Sequence, residues 1–91
     1  MNRELPKHGE IWKHFKHKYY QIICVGHHSE TKERMVVYQP IHYTLYGTFM
    51  QSFSEEPCIS PLDMFMSEVD HVKYPDVKQM YRFIKVQIRK G

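Results

Sequence analysis

Not one alanine occurs in these 91 residues, whereas the chain holds 7 tyrosines and 5 phenylalanines and is well supplied with valine and isoleucine. Alanine is the best helix former, and β-branched and aromatic side chains prefer the pleated surface of a sheet. A chain of this make-up is restricted to a mainly β fold. At this length it forms one domain with a thin core, because small domains bury a low fraction of their surface. The 42% hydrophobic and 25% charged residues are those of an ordinary globular protein, not of a disordered tail.

The order of apolar and polar residues places the strands. Gly9 to Lys16 reads as a first strand, with Ile11, Lys13 and Phe15 on one face and Trp12, His14 and Lys16 on the other. After a short turn at 17–18, Tyr19 to His27 reads as a second strand. Tyr20, Ile22 and Cys24 share one face, and Tyr19, Gln21, Ile23 and Val25 the other. Apolar groups on both faces predict a central strand. His28 to Glu33 is a polar connection in which Ser29 and Thr31 can bond the local backbone. Arg34 to Gln39 forms a third strand, stopped or edged by Pro40, which cannot donate to a ladder.

Residues 42–53 read either as a hairpin around Tyr46-Gly47-Thr48 or as a mobile aromatic loop, and Glu56 to Ser60 as a brief strand. A helix is predicted from Ser60-Pro61, with Ser60 as the cap, Pro61 at the first helical position and Asp63 favourable to the dipole. Leu62, Phe65, Met66 and Val69 follow the spacing of a buried stripe. Pro75 to Met80 reads as one more helical turn, and Arg82 to Ile88 as the last strand. About five short strands with one short helix predict a small, partly open barrel. Residues 1–8 are an N-terminal arm to a domain spanning 9–91.

Charge is unevenly spread. Residues 1–20 hold five Lys or Arg against two acids; residues 53–70 hold five acids and no base; residues 71–91 hold six bases against Asp76. A basic face attracts anionic partners, unless the acidic segment lies beside the basic ends and cancels the field. The two cysteines, Cys24 and Cys58, are too few for a disulfide framework. With no leader-like apolar run near Met1 and no stretch long enough to span a bilayer, the expected setting is a reducing cytoplasm, without membrane attachment.

Taken together, these segments resemble a known family. The carriers are Gly9-x-x-Trp12-x-His14-Phe15-Lys16, Tyr20, His28-Ser29-Glu30-Thr31, Val37-Tyr38, Pro61-Leu62-x-Met64-Phe65, Glu68-Val69-Asp70-His71 and Tyr74-Pro75-Asp76-Val77-Lys78-Gln79. In this order they resemble the short bacterial proteins of the domain-of-unknown-function family 1653. The resemblance implies an SH3-like barrel and no assigned reaction. Three departures stand out: His17 replaces a customary glycine, the segment 40–57 is longer than usual, and Ser60 stands where the family usually has an arginine.

Several chemistries compete for the remaining residues. Seven histidines invite a metal, but His14 and His17 point to opposite faces of a strand, and adjacent His27 and His28 diverge. Cys24 sits among Ile22, Ile23 and Val25, which predicts a buried, inert thiol, and Cys58 lies in a more polar segment. His28-Ser29-Glu30 cannot supply triad geometry from consecutive positions. No Gly-rich phosphate loop is present.

The favoured reading is a non-catalytic binding module without a cofactor or metal. It uses Trp12, His14, Lys16, Tyr20, His28, Ser29 and Tyr38 to hold a protein segment. Single-stranded nucleic acid suits the same aromatic and basic groups. A small enzyme with His14 or His28 as acid or base is a third reading. Pairing of two copies through the 42–53 aromatic loop is a further route to association.

Overall fold

The computed structural model describes residues 3–51 and 54–87. The chain is mainly β, with one six-stranded antiparallel sheet. The strands are β1 (Ile11–His14), β2 (Tyr19–His27), β3 (Arg34–Tyr43), β4 (Phe49–Gln51), β5 (Cys58–Pro61) and β6 (Phe83–Lys85). A single turn of helix, α1 (Leu62–Phe65), follows β5 directly. The path runs β4-β3-β2-β1-β6, and β5 pairs with β3 beside it. Among the described residues β4 and β6 do not pair, so the sheet is not closed.

β2 occupies the central place its double-sided apolar pattern demands, between β1 and β3. The expected alternation holds only to Ile22. A bulge between Ile22 and Cys24 inserts one residue, so the register on β3 passes from Ile22↔Tyr38 to Cys24↔Val37. An extra residue inverts the parity of everything after it. Ile22 therefore points into the core, Val25 packs against the same core, and Cys24 is exposed. The expectation of a buried Cys24 is overturned for this reason. Alternation cannot reveal a bulge inside an all-apolar run.

β3 does not stop at Pro40 but continues to Tyr43. On one edge it changes partner there: β5 pairs with residues up to Tyr38, and β4 pairs from Ile41 onward. A residue without an N–H is tolerated where that edge carries no ladder. The buried side chain of Gln39 helps to fill this gap, donating from Nε2 to the carbonyl of Glu55 at 3.0 Å. Beyond it the chain forms the hairpin, with Thr44 and Thr48 joined backbone to backbone and side chain to side chain, and Gly47 at a φ of 78°. Phe53 and Ile88, part of the sequence reading, lie outside the described residues.

The helix is shorter than its apolar stripe. Leu62, Phe65 and Val69 are buried as the spacing requires, but helical structure ends at Phe65 and the chain carries Val69 into place afterwards. Ser60 is not its cap. It belongs to β5, and Pro61 precedes the helix without any side-chain cap. Residues 75–80 form turns and coil in place of the expected helical turn. Segment 66–82 instead folds back on itself through Val69 N–H to Met80 O, Arg82 N–H to Ser67 O and a bridge between Glu68 and Tyr81. Gln79 Nε2 ties this strap to the carbonyl of Lys13.

Trp12, Ile22, Val36, Tyr38, Leu62, Phe65 and Phe83 form the core. Phe65 stacks on Phe83 with ring centroids 4.0 Å apart and meets Trp12 edge to face at 5.5 Å. The indole N–H of Trp12 donates to Glu10, whose carboxylate also takes Lys85 at 2.9 Å and the N–H of Lys7. Burial works to raise the Glu10 carboxyl, but these bonds outweigh it and hold it below the usual carboxylate range. Within the segment read as an arm, Arg3 donates to the carbonyls of Met66 and Phe83 and lies over the ring of Tyr81. No helix among the described residues is long and apolar enough to cross a membrane.

Candidate functional site

Where β1 ends, the chain must turn within a few residues to start β2. His17 takes a left-handed conformation in this turn, with φ at 67°. That is costly for a residue with a Cβ and explains why glycine suits the position. His14 anchors the turn. Its carbonyl accepts from the N–H of His17, and its Nδ1 accepts from the N–H of Lys16 at 3.1 Å. With Nδ1 an acceptor, the neutral ring carries its proton on Nε2. The ring is wedged between Phe15 and Phe83, with centroids at 4.4 and 4.9 Å. Burial, and then the charges of Lys16, Arg82 and Lys18, push its pKa below the usual histidine value, so His14 is neutral at neutral pH.

Beside His14 opens a cleft of about 150 Å³ lined by Tyr20, Tyr38, Ser60, Met64, Phe65, Arg82 and Phe83. Tyr20 and Tyr38 come from adjacent strands and meet edge to face at 5.1 Å. The Tyr38 hydroxyl donates to Ser60 Oγ at 3.3 Å. Burial raises the pKa of both phenols, so both remain protonated donors. Arg82 enters from the strap just before β6, and its Nε is buried with no hydrogen-bond partner among the described residues. A second cleft of about 270 Å³ shares His14 and Arg82 and adds Phe15, Lys16, Asp70, Lys73 and Tyr74.

Comparison with known families decides the kinship. The family described as "Protein of unknown function (DUF1653)" matches residues 10–85. The chain belongs to this family. No curated protein and no solved structure matches it.

In this DUF1653 chain the sequence-predicted residues fall into separate places. His14, Tyr20 and Tyr38 line one cleft, and Lys16 lines the adjoining one. Trp12 is only 2% exposed and forms the floor of the core, not a surface platform. Tyr38, at 9%, shows little more than its edge. His28 and Ser29 lie past the opposite end of β2 from Tyr20, roughly 25 Å along an extended strand. There His28 Nδ1 accepts from the N–H groups of Glu30 and Thr31, so this polar turn is tied by its own side chain. Lys32 in the same turn has a φ of 66°.

Ser60 and Arg82 are the members that sequence reasoning missed. Ser60 was legible as the end of a brief strand and as a helix cap, and Arg82 as the start of the last strand in a basic tail, with no site role for either. Position 60 is a serine, and the strap brings Arg82 to the same cleft. Cys58 is half-buried, and burial with nearby Glu55 raises its thiol pKa, which makes it a poor nucleophile at neutral pH. Neither cysteine lines the small cleft or the adjoining one that shares His14 and Arg82. Among the described residues no group of three or more His, Cys, Asp or Glu converges to hold a metal ion.

Proposed function

We propose that this DUF1653 chain is a non-catalytic binding module, an SH3-like, partly open barrel whose His14–Tyr20–Tyr38 cleft holds an extended protein segment. The observation that carries this reading is the cleft itself. Its walls are aromatic, and the Tyr20 phenol, the Ser60 hydroxyl and Arg82 are its donors, the Tyr38 phenol giving its own proton to Ser60 Oγ. Aromatic walls with a few directed polar groups are how grooves take peptide. A one-turn helix between the β3 partner strand and the final strand, which pairs with β1, supports the SH3-like description. Two free thiols suit a reducing cytoplasm.

His14 supports binding over catalysis, because no carboxylate bonds or orients it among the described residues. Single-stranded nucleic acid is less favoured, since Trp12 offers no open stacking face and the net charge is only +3. The test is selection of random displayed peptides on the immobilised protein, followed by amide-resolved NMR titration of the peptides selected. Shifts clustered at His14, Tyr20, Tyr38 and Ser60 are expected, with capture lost in Tyr20→Ala. Failure to select peptides, with steeply salt-dependent binding of single-stranded RNA or DNA at this face, overturns the reading. Self-association is a second reading, favoured by the nearly complete exposure of Leu45 and Tyr46 at the hairpin tip.

A further inference from the structure

We infer that the small cleft is a carboxylate site anchored by Arg82, and that the segment it receives presents an aspartate or glutamate side chain there. The source of the carboxylate rests on the segment-binding reading above; the site itself rests on Arg82. This residue is held by its main chain: its N–H donates to Ser67 O at 3.0 Å and its carbonyl accepts from Phe15 N–H at 2.9 Å. Its Nε is nonetheless buried without a partner among the described residues. Buried polar groups are normally paired, so an unpaired guanidinium donor calls for an acceptor. Arg3 makes the contrast, with both terminal nitrogens bonded to backbone carbonyls.

The surroundings select the acceptor. No side chain lining this cleft is a carboxylate, and beside Arg82 the Tyr20 and Ser60 hydroxyls and the His14 Nε2–H can donate, the Tyr38 proton being given to Ser60 Oγ. Asp70, the acid nearest in lining, belongs to the adjoining cleft and forms no ion pair with Arg82. A planar guanidinium matches a carboxylate edge to edge. His14 is neutral, so the cleft holds one permanent cation and balances a single negative charge, not a dianionic phosphate. A volume near 150 Å³ is below the roughly 300–1,000 Å³ of cofactor pockets and fits one short acidic side chain. Lys16 and Lys73, at the rim of the adjoining cleft, favour further acids on the same segment.

The test follows the Arg82 Nε–H resonance by NMR during titration with three probes: doubly blocked glutamate, doubly blocked glutamine and inorganic phosphate. A saturable shift with glutamate is expected, with none for glutamine and binding at least tenfold weaker for phosphate. Arg82→Gln should abolish the effect on the neighbouring Ser60 amide, and Arg82→Lys should retain it in weakened form. No saturable shift with glutamate, an equal shift with glutamine, or tighter binding of phosphate overturns the inference. The wild-type resonance decides even if a variant fails to fold. Glutamate binding without capture of any displayed peptide keeps the carboxylate site and removes the protein segment as its source. Peptides captured in the cleft without an acidic residue do the reverse.

Discussion

Two aromatic clusters sit on the same sheet and have opposite fates. At one end Trp12, Phe65, Phe83 and Tyr38 pack edge to face and stacked, and all are buried. At the other, Tyr19, Tyr43 and Phe49 also meet, with centroids 5.0 to 6.5 Å apart, yet Tyr43 stays 61% exposed. Ring geometry does not distinguish them. What differs is the lid: α1 places Phe65 over the first cluster, whereas the second lies on the paired strands β2, β3 and β4 with Tyr43 open to solvent. Burial of an aromatic group is set by what the topology folds over it, not by the neighbours it meets within the sheet.

The contrast can be broken most strongly at the lid. Phe65→Ala should lower stability by about 3–5 kcal/mol, as large-to-small changes in a packed core do. Denaturant unfolding would measure it, and a loss below 1 kcal/mol would mean the lid is not what seals the core. Glu10→Ala removes the acceptor of the Trp12 indole and the partner of Lys85, with an expected cost of about 1–3 kcal/mol. Because the Glu10 pKa is depressed in the fold, its contribution is complete above the unfolded carboxylate pKa and fades as pH falls through the folded value. The variant should therefore lose less stability than wild type on acidification below about pH 4.

At the hairpin, Phe49→Ala should cost only about 1 kcal/mol, the worth of an aromatic pair with little burial. Its amide exchange should change locally while the Phe65 region stays protected. A smaller effect, dependent on pH, comes from His14. Its folded pKa is depressed, so the unfolded chain takes the proton first. Stability should fall as pH drops from about 6.5 towards the folded value, and His14→Gln should flatten that slope in thermal scans at stepped pH. Leu45→Ser at the hairpin tip should leave stability within about 0.5 kcal/mol. Should it also turn a dimer into a monomer by sedimentation, the exposed cluster would have acquired its lid from a second copy.

The sequence made the strands legible where alternation was uninterrupted, as in β2 up to Ile22, and it made the buried stripe of Leu62, Phe65 and Val69 legible too. It hid whatever depends on pairing between distant segments. The bulge at Ile23 is invisible in an apolar run. The passage of β3 through Pro40 depends on two partner strands dividing one edge. Of the site, His14, Tyr20 and Tyr38 stood out because aromatic and imidazole groups on neighbouring strands suggest a shared surface. Arg82 did not, because a single base in a basic tail acquires meaning only when a strap folds it against β1. His28 and Ser29 looked like members because local polarity carries no information about which end of a strand a turn occupies.

The bulge in β2 also has a practical consequence. By turning Cys24 outward while Cys58 stays half-buried with a raised pKa, it leaves the chain with one thiol well suited to chemical coupling. A fluorophore or a solid support attached there would leave His14, Tyr20 and Arg82 unmodified. The molecule can thus be tethered in a defined orientation and offered to candidate partners without any engineered tag.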